Sequence, residues 1–291
     1  MFAIIGIIVV LGAVIGGYLM EHGHIMVLMQ PAEFLIIGGS ALGATLVGNP
    51  LYVLKGIGGN LLMILKPDHY NQSHYLKTLQ MLYALFSTGR KQGDQALEAE
   101  IEDPENGASF SSFPHFVKDK KALAYVCDTL RMSLMGGAPY DLDTLMELDA
   151  ETQEAEEHEP VSALQTTADA LPGFGIVAAV LGVVVTMGAL GGPPEEIGHK
   201  VAAALVGTFL GILLCYGVLG PLAALLGKHH DSTKQYFACL RSAVIAYAKG
   251  SSPLMSVEYG RRVIPTRNRP TFSELEGACK GGGAEAKAEA A

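Results

Sequence analysis

Four stretches of the chain are apolar at nearly every position, and polar sequence with helical periodicity fills the long interval between the second and the third. The runs are 2–20, 31–48, 172–191 and 201–226. Crossing a hydrocarbon core of about 30 Å takes roughly 20 helical residues. The pattern therefore predicts four membrane helices in two hairpins, 1–50 and 172–226. The first run starts almost at Met1 with no basic segment before it and no small-residue cleavage site after it, the pattern of a retained span. The second is shorter and opens on Pro31, a residue suited to a helix N-terminus, with Glu33 in its first turn. The last two carry no Asp, Glu, Lys, Arg or His within 172–191 or 201–226.

Between the hairpins, apolar positions recur at helical spacing through 75–93 and 122–137, with Gly93, Gly136, Gly137 and Pro139 as stops. No strand alternation or hairpin signal interrupts them. Segment 51–171 is expected to be a large helical cytoplasmic domain, and 227–291 a cytoplasmic C-terminal tail whose low-complexity end, GGGAEAKAEAA, is disordered. The fold class expected is an all-α integral membrane protein with four transmembrane helices and a large helical cytoplasmic domain.

Charge fixes the expected orientation. Nineteen of the 20 Lys and Arg residues lie in 52–171 or 227–291, and the other, Lys200, lies between the last two spans. Lys55, Lys66, Lys228 and Lys234, close to the span ends, place both termini and the 51–171 domain in the cytoplasm by the positive-inside tendency. The domain carries 19 acidic and nine basic residues and the tail six acidic and ten basic, so the two can pair with each other. Basic tail residues such as Arg261, Arg262, Arg267 and Arg269 also suit lipid headgroups.

Composition agrees: 49% of the 291 residues are hydrophobic and 17% charged, with a mean hydropathy of +0.31. Cys127, Cys215, Cys239 and Cys279 have no spacing that suits a disulfide framework or a zinc site, and no cofactor or metal is expected. The chain contains no Walker loop, GxSxG elbow or HExxH, and catalysis is not expected. Nothing in it points to nucleic acid.

Small residues four apart, Gly12 and Gly16, Gly39 and Gly43, and Gly207 and Gly211, suit close helix packing within one subunit or between subunits. Ion transport usually leaves an ionisable group inside the membrane. Glu33 is placed near the outer interface by its position in the run, and no other acid falls within a span. If the chain belongs to an ion-driven machine, a partner must bring the titrating carboxylate. Pro172, expected to open the third span, and Pro221, near the end of the fourth, are candidate bending points next to the cytoplasm.

The blocks 5-IGIIVVLGAVIGGYLM-20, 30-QPAEFLIIGGSALGATLVGN-49, 171-LPGFGIVAAVLGVV-184, 205-LVGTFLGILLCYGVLGPLA-223, 258-EYGRR-262 and 269-RPTFSELE-276 resemble the flagellar stator subunits of the MotA/TolQ/ExbB proton channel family. The likeness covers nearly the whole chain apart from the last dozen residues. It implies a multi-pass subunit of the bacterial inner membrane, assembled as a ring of five around two MotB chains. A MotB aspartate would carry the proton, and torque would be delivered to the rotor protein FliG. It further implies rotor contact through Arg90 and Glu98, conformational coupling through Pro172 and Pro221, and an ion pathway past Ala179, Thr208 and Tyr216. Sodium-driven relatives carry a threonine at the position of Ala179, so its methyl points to protons as the coupling ion. The other readings are a TolQ/ExbB-like energiser of an envelope process, a sodium-coupled stator, or a solute channel.

Overall fold

The computed structural model describes residues 2–63, 70–188, 191 and 193–288, with side chains over 2–61, 70–188, 191 and 193–281. Lys66 and residues 289–291 lie outside this set. The described residues contain helices and no strand. In order these are α1 (Phe2–Met20), the single turn α2 (Ile25–Leu28), α3 (Pro31–Gly48), α4 (Leu51–Met63), α5 (Gln72–Gln92), α6 (Asp94–Glu102), the short α7 (Ala108–Ser111) and α8 (Pro114–Lys118), α9 (Lys120–Leu134), α10 (Pro139–Met187), α11 (Pro194–Leu214), a π turn (Cys215–Leu219), α12 (Gly220–Ala248), α13 (Pro253–Val263) and α14 (Phe272–Ala288). The last of these runs into the low-complexity end that was expected to be disordered.

Local sequence sets many of these limits. Pro31, Pro114, Pro194 and Pro253 open helices, where a missing N–H costs nothing. Asn71, Asp119 and Ser252 cap α5, α9 and α13 by accepting from the backbone N–H three residues on. Gly93 stands at φ 90° between α5 and α6, and Gly136 at φ 92° after α9.

Among the described residues four helical stretches are long and apolar enough to cross a membrane: Phe2–Met20, Ile25–Gly48, and parts of Pro139–Met187 and Pro194–Ala248. The helix that carries the third does not begin at Pro172. The helix α10 extends over 49 residues, so the acidic stretch after Asp141 is helical and Pro172 is an interior residue. Acidic side chains four apart on an exposed helix face are tolerated where bases meet them, and Arg241 binds Asp143 at 2.6 Å and Glu147 at 3.2 Å while Lys234 binds Glu154 at 2.8 Å.

The chain divides into two compact units, Met1–Pro67 with Glu156–His229 and Asp68–Ala155 with His230–Ala291. In the first, small cores form around Ile37, Leu171, Ala178 and Leu210, and around Val161, Leu164, Ala223 and Leu226. Large apolar side chains such as Ile8, Leu42, Val184 and Leu205 point outward, as a lipid-facing surface requires.

The second unit has an ordinary apolar core, and residues 230–281 are part of it instead of a separate tail. Tyr236, Leu240 and Val244 of α12, Val257 of α13 and Leu275 of α14 are buried with Leu79, Leu82 and Phe86 of α5 and Val126 of α9. A methyl at Gly260 would stand 3.0 Å from Leu79 Cδ2 and 3.1 Å from Ala243 Cβ, so glycine lets α13 close on both neighbours. The basic residues serve that fold. Arg261, 7% exposed, donates to both Glu258 oxygens at 2.6 Å and to the Pro270 carbonyl at 3.0 Å. Arg262 also binds Glu258, and Arg269 donates to the Ile264 and Arg262 carbonyls.

Candidate functional site

The geometry around the last hairpin follows from its small residues. A methyl at Gly175 of α10 would stand 2.8 Å from the Gly207 carbonyl oxygen, one at Gly182 would stand 2.7 Å from Ala204 Cβ, and one at Gly211 would stand 2.6 Å from the Leu171 carbonyl oxygen. These are shorter than any van der Waals contact allows, so the helices α10 and α11 touch backbone to backbone along this seam. Gly207 and Gly211 are thereby assigned to packing within the subunit. A methyl at Gly12, Gly16, Gly39 or Gly43 would meet nothing within 4 Å, and those faces are open in the single chain.

Ala179 and Thr208, both half-buried, lie on the seam. A methyl on Gly207 would be 3.2 Å from the Ala179 nitrogen, and one on Gly175 would be 3.3 Å from Thr208 Cα. Tyr216 does not join them: its ring is 73% exposed and projects out of the helical core.

The third helix at the seam is α3, which packs on α11. Glu33 in its first turn is 6% exposed, and its Oε2 has no hydrogen-bond partner among the described residues. This oxygen lies where a Gly207 side chain would stand. Expected near the outer interface, Glu33 is packed between helices, and its neighbour Gly207 is six residues inside the apolar run that starts at Val201, about 9 Å along α11 at 1.5 Å per residue. Position within a run places a residue along its own helix only, and the axial offset between α3 and α11 sets Glu33 beside Gly207. Farther along, Thr45 of α3 and Thr167 of α10 share a 2.7 Å hydrogen bond.

The two expected prolines are accommodated differently. Pro172 is carried inside α10, half-buried, without breaking it. Pro221 follows the π turn Cys215–Leu219, in which the Gly220 N–H reaches the Cys215 carbonyl. Without an N–H, Pro221 leaves the Gly217 carbonyl without its usual donor and its ring would press on that carbonyl; widening the turn relieves the pressure. Glycine at 220 suits this geometry, since a methyl there would stand 2.9 Å from the Cys215 oxygen. A third proline, Pro160, not singled out by sequence, fits against α4, its Cγ standing 2.6 Å from where a Gly56 methyl would be.

In the second unit, Arg90 lies in the last turn of α5 and Glu98 on α6, both exposed. Leu97 and Ile101 are buried and hold α6 to the core. The Arg90 guanidinium lies 5.5 Å above the Tyr247 ring and donates to the Ser251 carbonyl at 3.1 Å, while Tyr247 stacks on Phe86 at 4.4 Å. Burial raises the Tyr247 hydroxyl pKa, and Arg90 partly opposes the shift. Gly89 makes room for that hydroxyl. Glu98 forms no hydrogen bond or ion pair among the described residues, which leaves its carboxylate available. Tyr247 was not legible as a support for Arg90, since the two are 157 positions apart.

Comparison with known proteins places this geometry. Residues 4–93 match the motility protein A N-terminal family, and residues 119–238 match the MotA/TolQ/ExbB proton channel family. Motility protein A of Salmonella typhimurium is 39% identical over 277 residues, covering 95% of this chain and 94% of the relative. Its Escherichia coli counterpart is 38% identical over the same coverage, and chemotaxis protein LafT of Vibrio parahaemolyticus is 37% identical, covering 94% and 96%. Among solved structures, C. jejuni MotAB aligns with a TM-score of 0.76 at 18% identity, covering 92% of this chain and 98% of that one. The flagellar MotAB stator complex from Bacillus subtilis aligns with a TM-score of 0.70 at 22% identity, covering 88% and 92%.

Proposed function

The chain belongs to the motility protein A family of flagellar stator subunits, within the MotA/TolQ/ExbB proton channel family, and on that premise we propose that it works with a MotB partner to turn proton motive force into torque on the rotor. Similarity to motility protein A along nearly the whole chain, carried on four helices apolar enough to span the membrane, is the observation that supports this most directly. The protein is an integral protein of the inner membrane and not an enzyme. The proposed orientation puts both termini and the second unit in the cytoplasm, from the Lys and Arg distribution.

In this reading MotB supplies an aspartate as proton carrier and several copies of the chain, five by family resemblance, surround it. Ala179 supports protons over sodium, because a methyl offers no oxygen to replace the water around a metal cation, whereas proton exchange needs none. Thr208 lines the ion path beside it, with Tyr216 on the outer face available to a neighbouring chain or the partner. Pro172 and Pro221 act where ion passage alters helix geometry, and the π turn before Pro221 gives that idea a physical basis: a widened turn can be redistributed along a helix without breaking it. Arg90 and Glu98 meet FliG, one charge held in place by Tyr247 and the other unpaired.

The test is deletion of the gene. Cells that retain assembled but paralysed flagella support a stator subunit, and cells that swim normally reject it.

A further inference from the structure

We infer that Glu33 is a proton-exchanging site of the ion path, a carboxyl group contributed by this subunit in addition to the one the proposed partner brings. The inference rests on the stator reading and deepens it. Its basis is a juxtaposition of three helices. The Glu33 side chain, buried in the single chain before any assembly, aims Oε2 at Gly207 of α11, and a methyl at Gly207 would also stand 3.0 Å from Ala178 Cβ and 3.2 Å from the Ala179 nitrogen of α10. The carboxyl thus sits at the part of the seam where Ala179 and Thr208 were assigned to the ion path, in a niche that exists because residue 207 has no side chain.

No neighbouring charge explains it. On α3 it is the one titratable group, and α2 (Ile25–Leu28) has none. On α10 none occurs after Asp169. On α11 the charged residues Glu195, Glu196, His199 and Lys200 all precede the apolar run, and Lys200 Nζ is bound to Glu196 at 2.9 Å, seven residues before Gly207. A carboxylate with no cation and no donor is strongly disfavoured in apolar surroundings, so at rest the group holds a proton. It loses that proton when a base is brought beside it. A role in hydrogen-bonded packing would require a partner for Oε2, and none is present among the described residues.

The exchange involves no redox chemistry. The Glu33 O–H bond breaks as a new O–H bond forms on the partner's carboxylate. The Glu33 carboxylate then takes a proton from hydronium arriving from the Met187–Pro194 end of the hairpin, and the partner's carboxyl gives up its proton to water on the opposite side, so one proton advances and both sites are restored. Isolating such a group from bulk water is what lets its exchange be timed by the approach of the acceptor.

The experiment uses the full chain expressed with its partner in a strain lacking its own stator, with proton influx and tethered-cell rotation measured against external pH. Glu33→Gln keeps the volume and removes the exchangeable proton. It should lower influx and rotation by roughly tenfold or more while the protein stays at its normal level in the membrane. Glu33→Asp, which restores an exchangeable proton, should recover flux with a displaced pH profile. Wild-type influx and rotation in Glu33→Gln across the pH range would overturn the inference. So would loss of the protein from the membrane in both variants, which would make Glu33 structural. If the unaltered chain and partner themselves fail to restore rotation, the stator reading is what falls, and that result is read before any variant is examined.

Discussion

Glu33 Oε2 stands in the space that a side chain at Gly207 would occupy, so a carboxyl group of α3 and a glycine of α11 define each other's positions. The same glycine belongs to the seam where α10 and α11 touch, which links the second span to the last hairpin through one residue. A substitution at Gly207 therefore disturbs three helices at once.

Gly207→Ala should destabilise the protein by about 1–3 kcal/mol, since the added methyl meets the Glu33 carboxyl and Ala178 Cβ together. Thermal unfolding in detergent measures this. Shortening the opposing side chain in Gly207→Ala with Glu33→Ala should recover part of the loss, a coupling that a double-mutant cycle reads directly.

Replacing Pro221 with Ala returns an N–H that can pair with the Gly217 carbonyl and permits an ordinary α-helical turn in place of the π turn. Straightening the turn rotates the preceding residues by part of a turn. Motility should fall with membrane level unchanged, and the thiol of Cys215, buried now, should become reactive to a small alkylating reagent. Pro172→Ala should also impair motility without loss of the protein.

Arg90→Glu removes a guanidinium from above Tyr247 without opening the core. The stability cost should be about 1 kcal/mol or less. Swimming should drop far more than that loss explains. A chemical melt compared with swimming speed separates the two effects. Tyr247→Phe, which keeps the ring beneath Arg90 and its stack on Phe86, should leave motility near normal.

Acid should weaken the second unit through Glu258. The two hydrogen bonds from Arg261, with one from Arg262, hold its carboxyl below the ordinary value of 4.5, against the opposing effect of burial. A carboxyl lowered on folding adds stability that is present above its unfolded value and disappears as pH falls through the folded one. Glu258→Gln should therefore be less stable than the parent at pH 7 and approach it as the pH drops below 4.5. Arg261→Ala should cost about 2–4 kcal/mol at neutral pH, because a nearly buried donor to Glu258 and Pro270 is lost. Urea unfolding at a series of pH values checks both.

Sodium removal at constant proton motive force should leave swimming speed unchanged, given the Ala179 methyl at the seam. A fall in speed would reverse the assignment of the coupling ion.

The four apolar runs, the helix stops at Gly93 and Gly136 and the absence of strands among the described residues were legible because each depends on local properties: transfer of apolar side chains, backbone freedom of glycine, a proline's missing donor. Family resemblance added the roles proposed for Arg90, Pro172 and Pro221. Of the three residues expected along an ion pathway, Ala179 and Thr208 meet at the seam of α10 and α11, whereas Tyr216, within the π turn, is turned outward.

Glu33 shows where such reading stops. Its place in a run gave its depth along α3, but whether it is buried depends on how far α3 slides against α11, which is set by contacts between residues 174 positions apart. The same holds for Gly12 and Gly16 against Gly207 and Gly211: identical spacing, yet one pair faces open space and the other lies in a helix interface. Residues 230–281 looked like a charged tail because their apolar positions are diluted by basic ones, and only the closing of α12, α13 and α14 on α5 makes them core. The chain's own sequence determined which segments are helices and which enter lipid, since those are decided residue by residue. Tertiary structure alone decided which faces meet, because that choice minimises gaps among all the helices together, and with it the fate of the carboxyl at Glu33.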